Sequence, residues 1–506
     1  MDSPASLASN MLLGLETALS VSNLLYCLAG VVLGTVVGVL PGIGAITAIS
    51  MLFPLTYHLD PTSALIMLAG IWYGSTFGGA ITSILLNIPG TPANAVTCLD
   101  GYPMAQQGRG SVAMLAAALG SFFGGCIGIL ILMLFSPTIA GYALSFSSVE
   151  YFALMVLGLV AATTISHGSA IKGLAMVVLG IAFGCVGSDV YTGIFRFNFG
   201  FLELADGISL IALAMGIFGV AEVISSLRST EAKRVEAHSV SLRSMKPAPG
   251  EVRRSVLPML RGSGIGAIFG ALPGTGPSIA AFMAYAMEIR MARDPSRFGK
   301  GAVEGVVAPE AANNAADQTA FIPTLSLGIP GSPTMALMLG ALMIHGIAPG
   351  PLLMTSEPQL FWGLVMSMWI GSLFLIILNI PLISIWVRLL LVPYRLLVPA
   401  VIVLICIGTY SVHNSTFDVW LIVFFGLVGY AMRIFGFPAA PLLLGFVLGP
   451  MMEEHFRRAM LVSRGDAMIF LERPISGAIL VATAALLVWG FWGAFRARRS
   501  TSVLRG

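Results

Sequence analysis

Charged residues are scarce in this sequence, and positively charged ones are missing from its first fifth. Only 10% of the 506 residues are charged, and no lysine or arginine precedes Arg109. A soluble domain carries roughly 25% charged residues. Because 57% of the residues are hydrophobic and the mean hydropathy is +0.93, we expect an all-α polytopic membrane protein surrounded by a lipid bilayer.

Patterns that bind metals or nucleotides are missing as well. The five cysteines have no CxxC spacing and lie among apolar residues, and the six histidines are scattered. We therefore expect packing roles for the cysteines and no metal or other bound cofactor. We find neither a nucleophile with a nearby base nor a phosphate-binding Gly-x-x-x-x-Gly-Lys-Ser/Thr loop. These absences argue against an enzyme and against an ATP-driven pump.

Long apolar runs are abundant and set the expected number of membrane crossings. A helix needs about 20 apolar residues to cross a bilayer. Counting shorter or interrupted runs, we expect about 11 to 12 crossings. The first run lacks the basic start and the cleavage site of a signal peptide, so we expect it to remain as a membrane helix. The runs lie near residues 21–40, 62–86, 111–137, 148–164, 170–187, 206–226, 334–349, 360–390, 396–412, 417–436 and 475–494.

Basic residues mark the cytoplasmic side of a membrane protein. Here they cluster in a polar segment at 228–261, in a loop at 290–300 and in the tail after residue 495. We predict that these three segments face the cytoplasm and that the N-terminus faces outward. Basic clusters beside apolar runs are typical of topology signals, so no nucleic-acid partner is expected. Arg109 is interpreted in the same way, as a helix-end residue.

Two glycine-proline motifs occur twice, in the same order. Leu40–Gly44 (LPGIG) returns 232 residues later as Leu272–Gly276 (LPGTG), and Asn87–Pro92 (NIPGTP) returns 241 residues later as Gly328–Pro333 (GIPGSP). Matching breaks in two halves are typical of transporters built from repeats, and an outward N-terminus with an inward linker favours inverted repeats. The predicted segments are a first repeat at 1–226, a basic linker at 227–257, a second repeat at 258–474, and a last helix with its basic tail at 475–506.

Each motif is predicted to interrupt a membrane helix, because proline lacks a backbone donor and glycine disfavours helix. Backbone groups freed in lipid are costly unless they face a cavity or a ligand. Helix N-termini favour carboxylates, so they can bind an anion without a basic side chain. The alternative is that the motifs only kink helices for packing. The predicted substrate-binding residues are Gly42, Gly44, Asn87, Pro89, Gly90, Thr91, Gly274, Gly276, Ser278, Gly328, Pro330, Gly331 and Ser332.

A polar stripe before the fourth motif is the predicted cation-coupling site. Its residues recur at spacings of three, four and seven, which places them on one face of a helix. Carboxylates at membrane depth are costly and mark functional sites, so we expect the stripe to take up a co-transported proton or sodium ion. The alternative is that it lies at a helix end in water. The predicted residues are Glu310, Asn313, Asn314, Asp317 and Thr319. The first half offers a neutral hydrogen-bonding lining of Tyr73, Ser75, Thr76, Thr82, Ser83, Asn87, Thr91, Asn94 and Thr97.

Several of these motifs carry a family resemblance. The likeness extends from about residue 20 to about residue 470, and the sequence resembles the large membrane subunit of tripartite tricarboxylate transporters, the TctA family. The segments that carry it are Gly38–Ala45, Asp60–Leu65, Ile81–Pro92, Ala308–Ala315 and Gly328–Pro333.

The resemblance implies a permease in the bacterial inner membrane that imports citrate or related carboxylates with a cation gradient. It also implies two protein partners, a small membrane subunit with about four spans and a periplasmic solute-binding protein that delivers the substrate. The competing interpretation is a passive channel, or a scaffold subunit of a membrane complex, without gradient coupling.

Overall fold

The computed structural model describes residues 4–40, 44–165, 169–189, 191–228, 244–272, 276–389 and 394–503. Most of them are helical, which confirms the prediction of an all-α protein. Two-residue strands β1 (Gly187–Ser188) and β2 (Phe195–Arg196) form one antiparallel hairpin, in which Gly187 lies opposite Arg196. This hairpin lies in the segment between two apolar helices.

The first part of the chain forms ten α-helices in the described residues. Short π-helical segments, Ala105–Arg109 and Met215–Val220, join α5 to α6 and α9 to α10. The helices are α1 (Pro4–Ala18), α2 (Val21–Gly38), α3 (Ala45–Thr56), α4 (Pro61–Leu86), α5 (Ala95–Met104), α6 (Gly110–Ala143), α7 (Ser148–Ile165), α8 (Ala170–Gly184), α9 (Leu210–Ala214) and α10 (Ala221–Arg228).

The second part contributes thirteen more α-helices in the described residues. Short 3-10 turns lie at Leu202–Leu204, before α9 in the first part, and at Pro295–Arg297, between α12 and α13. The helices are α11 (Glu251–Ala271), α12 (Gly276–Met291), α13 (Glu304–Thr319), α14 (Phe321–Leu327), α15 (Pro333–Ile344), α16 (Leu353–Ser356), α17 (Pro358–Asn379), α18 (Ile383–Leu389), α19 (Tyr394–His413), α20 (Thr416–Phe435), α21 (Ala439–Val462), α22 (Ile469–Glu472) and α23 (Pro474–Val503).

Apolar helices of membrane-crossing length support the polytopic assignment. Five are long and apolar enough to cross a bilayer, and seven shorter apolar helices accompany them in the described part of the chain. The five are Val21–Gly38, Pro61–Leu86, the run Ala95–Ala143, Pro358–Asn379 and Thr416–Phe435.

Helices end and begin on either side of every glycine-proline motif. The interruptions fall between α2 and α3, α4 and α5, α11 and α12, and α14 and α15. Local chemistry explains the restarts: the Ser332 hydroxyl accepts a hydrogen bond from the backbone N–H of Met335 at 3.2 Å, and proline occupies the first position of α15. Serine N-caps and proline at the first turn are favourable helix starts.

Glycine rows bring two pairs of helices into backbone contact. A Cβ added at Gly30, Gly34 or Gly38 of α2 would lie 2.2–2.3 Å from a backbone carbonyl oxygen of α4. The same happens between α11 and α13, where a Cβ at Gly262, Gly266 or Gly270 would lie 2.1–2.3 Å from a carbonyl oxygen. Only glycine permits this separation, as is common where helices pack in membranes. The facing residues are Met67, Ile71 and Ser75 in α4, and Ala308, Ala312 and Ala316 in α13.

Charged residues near the predicted basic linker pair across helix ends. Arg109 donates to Glu251 at 2.5 Å, and Arg261 binds both carboxylate oxygens of Glu288 at 2.6 and 2.7 Å. The first pair ties the start of α6 to the start of α11, and the second ties α11 to α12. Residues 229–243 of the predicted linker lie outside the described residues, and α11 begins at Glu251, within the predicted linker range.

Candidate functional site

Helix α13 is the centre of the candidate site. Every residue from Gly305 to Thr319 is buried, although the helix carries two carboxylates and several amides. The polar stripe predicted from the sequence is therefore not at a helix end in water. Charged groups are normally kept out of such an interior unless they are hydrogen-bonded or neutralised.

Two glycine faces let neighbouring helices press against α13. Gly262, Gly266 and Gly270 of α11 face one side, and the glycine row of α6 faces another. A Cβ added at Gly124 would lie 2.1 Å from the Ala311 carbonyl oxygen. The polar partners of α13 come from Ser121 of α6, from Thr76 of α4, from Asn94 and Thr97 of α5, and from α13 itself.

Glu310 is fully satisfied by neutral donors. Its Oε1 accepts hydrogen bonds from Thr97 Oγ1 at 2.5 Å and from Asn94 Nδ2 at 3.1 Å. Its Oε2 accepts from Ser121 Oγ at 3.1 Å and from Asn313 Nδ2 at 3.2 Å. Four donors around one buried carboxyl group satisfy both of its oxygens and hold the side chain in one position. Glu310 thus joins α5, α6 and α13.

The side chains of Asn314 and Thr319 donate hydrogen bonds to other groups of α13. Asn314 Nδ2 donates to the Glu310 backbone oxygen at 3.0 Å and also to the Asn313 side-chain oxygen. Thr319 Oγ1 donates to the Ala315 carbonyl oxygen at 3.0 Å and lies against Gly270 of α11. Of the predicted cation-coupling residues, the structure brings Glu310, Asn313 and Asn314 together. Thr319 lies apart from them.

Asp317 has the opposite environment from Glu310. It is 1% exposed, its Oδ2 accepts one hydrogen bond of 3.4 Å from Thr76 Oγ1, and its Oδ1 has no hydrogen-bond partner. The Tyr73 hydroxyl, one helical turn before Thr76 on α4, is also buried without a hydrogen-bond partner. The rings of Trp72 and Phe321, which neighbour Tyr73 and Asp317 on their helices, pack at a tilt of 43° with centroids 5.5 Å apart. This is a poorly solvated carboxyl beside an unused hydroxyl.

The break between α4 and α5, at the motif Asn87–Pro92, is called the first break and is exposed on one side. Asn87 ends α4 with a left-handed backbone (φ 58), and Asn87 and Pro89 are exposed. Gly90 and Thr91 are buried: Thr91 Oγ1 donates to Asn94 Oδ1 at 2.6 Å, and a Cβ at Gly90 would lie 2.2 Å from the Gly79 Cα. Only glycine at position 90 allows the first break to pack this closely against α4.

The break between α14 and α15, at the motif Gly328–Pro333, is called the second break and is buried. Gly328 ends α14 with the same left-handed backbone (φ 71). Gly328, Pro330, Gly331 and Ser332 are all buried. A Cβ at Gly331 would lie 3.6 Å from the nearest atom, the carbonyl oxygen of Gly270, which is an ordinary contact. Gly331 therefore has room that Gly90 lacks.

The two motifs of each half lie beside one another. A Cβ at Gly44 would lie 3.6 Å from the Gly90 carbonyl oxygen, and Gly331 faces Gly270 at the end of α11. Gly276 adopts a left-handed conformation (φ 64) in open space, and Ser278 is half-buried in the first turn of α12. Gly42 and Gly274 lie outside the described residues.

Sequence comparison identifies the family. The tripartite tricarboxylate transporter TctA family matches residues 24–444. The chain belongs to this family. An uncharacterized 52.8 kDa protein from the TAR-I ttuC' 3' region of Agrobacterium vitis is 48% identical over 493 residues, which cover 97% of this chain and 98% of that protein.

Two further relatives share parts of the TctA-family chain. A protein from the TAR-II ttuC' 3' region of Agrobacterium vitis is 50% identical over 234 residues, 46% of this chain and 97% of that protein. An uncharacterized protein of Methanocaldococcus jannaschii is 25% identical over 212 residues, 42% of this chain and 50% of its own length. No solved structure matches the chain. Family membership makes the chain a component of a tricarboxylate transporter, as the sequence motifs predicted.

Sequence reasoning left several site residues of this TctA-family chain out of its predicted site. Tyr73, Thr76, Asn94 and Thr97 belong to the predicted neutral lining and not to the predicted cation site, and Ser121 belongs to neither. Ser121 follows Gly120, which opens the glycine row of α6, so the signal was a hydroxyl beside a close helix contact. Within the described residues, no group of three or more His, Cys, Asp or Glu side chains lies together as a metal site.

Proposed function

We propose that this chain is the permease subunit of a secondary active importer in the bacterial inner membrane. It would carry tricarboxylates or related carboxylates by alternating access, driven by a cation gradient, with a small membrane subunit and a periplasmic binding protein that delivers the substrate. The observation that carries the proposal is the meeting of two helical segments that the motifs interrupt, α4–α5 and α13–α15, at one buried polar layer. Such a layer is expensive in a membrane and is typical of a transport site.

Equivalent contacts in the two halves support a repeat. The residues of α11 lie 232 positions after those of α2, and the residues of α13 and α14 lie 241 positions after those of α4. With these two offsets, the contact of Gly34 with the Ile71 carbonyl becomes the contact of Gly266 with the Ala312 carbonyl. The break residue Asn87 likewise becomes Gly328, which has the same left-handed backbone. Independent helices would have no reason to repeat both features.

Helix directions support an inverted repeat. The glycine contacts advance together along each pair, so α2 runs parallel to α4, and α11 runs parallel to α13. Thr76 contacts Asp317, and the later residues Asn94 and Thr97 contact the earlier Glu310, so α4–α5 runs against α13. Inverted repeats are related by an axis in the membrane plane. Thr76 and Asp317 are themselves 241 residues apart, and equivalent residues touch only near such an axis.

The breaks offer a site suited to carboxylates. Helices α5 and α15 begin directly after the two breaks, and backbone N–H groups at a helix start attract negative charge. Arg109, the nearest basic residue in sequence to the first break, is occupied by Glu251. Substrate carboxylates would therefore bind to backbone N–H groups and neutral side chains, with a co-transported cation to offset their charge.

The unequal exposure of the two breaks supports alternating access. Ile88 in the first break is 40% exposed, whereas the equivalent Ile329 in the second break is fully buried. By the positive-inside rule, α11 starts and α12 ends at basic, cytoplasmic segments, so α4 descends toward the cytoplasm. The first break then opens inward while the second is closed to the outside. If the first break became buried and the second break became exposed, access to the site would switch from the cytoplasm to the outside.

Uptake into proteoliposomes tests this function. The chain would be reconstituted with and without its small subunit and binding protein, and accumulation of labelled citrate and other carboxylates would be measured under imposed sodium or proton gradients. We expect accumulation that follows one gradient and requires the binding protein. Flux that only equilibrates the substrate would refute the proposal and favour a passive pore.

A further inference from the structure

The two buried carboxyl groups of α13 differ in what surrounds them. Glu310 has four neutral hydrogen-bond donors that occupy both of its oxygens. Asp317 has one long hydrogen bond and one oxygen without any partner. A fully buried carboxylate with so few donors is unfavourable unless a positive charge offsets it. Glu310 needs no such charge, and Asp317 does.

No protein cation in the described residues supplies that charge. Asp317 contacts Thr76 of α4, and α6 and α11 bring glycine backbones against neighbouring residues of α13. The Arg261 guanidinium of α11 is taken up by Glu288 of α12 at 2.6 Å. The other basic residues of α11 and α12, which are Arg253, Arg254 and Arg290, are exposed. The acidic and neutral titratable groups on the helices around α13 include Tyr73 of α4, Cys98 and Asp100 of α5, Cys126 of α6, and Tyr285 and Glu288 of α12. Asp100 accepts hydrogen bonds from Tyr285, Gly301 and Ala302.

Three oxygen atoms are available for a small cation. Asp317 Oδ1 is unpartnered and buried, Thr76 Oγ1 is within 3.4 Å of Asp317 Oδ2, and the Tyr73 hydroxyl is unpartnered. Tyr73 precedes Thr76 by three residues on α4, so both side chains lie on one face of that helix. The oxygens come from both halves of the chain.

We propose that Asp317, with Thr76 and Tyr73, is the site of the coupling cation, and that Glu310 is a structural carboxylate. The proposal rests on the proposed function and narrows the predicted cation site to this cluster. One monovalent positive charge, a proton or a sodium ion, binds Asp317 between the two halves. The bound cation offsets the charge of the only poorly solvated carboxylate on α13. It binds at the contact between α4 and α13, which must separate or slide if the two halves exchange environments.

Cation-dependent stability of the purified full chain tests the site. Thermal unfolding would be followed in lipid nanodiscs in two arms: increasing sodium at pH 8, with potassium as the ionic-strength control, and decreasing pH in potassium alone. A ligand that binds only the folded state raises the unfolding temperature. We expect wild-type and Glu310→Gln proteins to be stabilised in one arm and Asp317→Asn to lose that response. Tyr73→Phe should need roughly tenfold more cation for the same shift, the effect of one lost oxygen ligand.

Each other outcome contradicts the assignment. If Asp317→Asn keeps the wild-type response, or if wild type responds in neither arm, the site is not at Asp317. If Glu310→Gln loses the response instead, the contrast between the two carboxyl groups is wrong. Size-exclusion profiles identify variants that fail to fold. If Asp317→Asn fails to fold, Thr76→Ser and Thr76→Val are compared instead. Thr76→Ser keeps the hydroxyl and should keep the response, and Thr76→Val should lose it. Gradient-driven uptake by an Asp317→Asn protein would overturn the site alone, whereas uptake by wild type that only equilibrates would overturn the proposed function.

Discussion

Replacing Gly266 with alanine is expected to separate α11 from α13 and to destabilise the protein. The new Cβ would lie 2.1 Å from the Ala312 carbonyl oxygen and 2.9 Å from the Ala312 Cα. A carbon and a carbonyl oxygen in contact are normally about 3.3 Å or more apart, so the helices must move apart by about 1 Å. Overpacking of this kind costs about 1–3 kcal/mol, or about 5- to 150-fold in the ratio of folded to unfolded protein.

Gly264 provides the matched control for this substitution. It lies on the same helix, is exposed, and has no atom within 4 Å of an added Cβ. Gly264→Ala should therefore leave stability unchanged or raise it by up to about 1 kcal/mol, because alanine favours helix over glycine.

The assay is thermal challenge of the purified protein followed by size-exclusion chromatography of the surviving fraction. Gly266→Ala should lose the folded fraction at a lower temperature than wild type, and carboxylate uptake should fall because α13 carries the candidate site. A Gly266→Ala protein as stable as wild type would refute the packing argument. An equal loss in Gly264→Ala would show that the effect is not the contact with Ala312.

Three further measurements probe the two breaks and the hairpin segment that contains Asp189. In a cysteine-free background, Ile88→Cys should react with a maleimide much faster than the equivalent Ile329→Cys, since Ile88 is 40% and Ile329 0% exposed; equal rates would contradict the one-sided opening. Asn87 has φ 58, so Asn87→Ala should lose about 1 kcal/mol of stability and Asn87→Gly should not; uptake lost in both variants would assign a role to the amide, and uptake lost only with alanine would assign it to the backbone. Hydrogen bonds from backbone N–H groups, that of Thr192 foremost, lower the pKa of Asp189 from 3.8 to about 2. The stability from this ionised carboxylate is present above about pH 4 and is lost as the pH falls toward 2, so the melting temperature of Asp189→Asn should change less than that of wild type over this range.

Local backbone chemistry made part of this protein readable from its sequence. Proline and glycine act on the residues beside them, so the four helix interruptions, including those at Pro89 and Pro330, were predictable at their positions. Apolar composition indicated the membrane class, and the long motifs indicated the TctA family. The spacing of Glu310 and Asp317 placed both on one helical stripe, and α13 does carry both on its buried surface.

Tertiary structure alone decided what each of these residues contacts. The donors to Glu310 include Thr97 and Asn94, which lie 213 and 216 residues earlier in the chain. Within the described residues, the side chain of Asp317 accepts one hydrogen bond, from Thr76. No sequence spacing distinguishes the two carboxyl groups, because hydrogen-bond satisfaction depends on side chains brought in by other helices. The close approach of Gly90 to Gly79 and the free space at Gly331 were hidden for the same reason: both depend on how distant segments pack, and glycine looks alike in the two motifs.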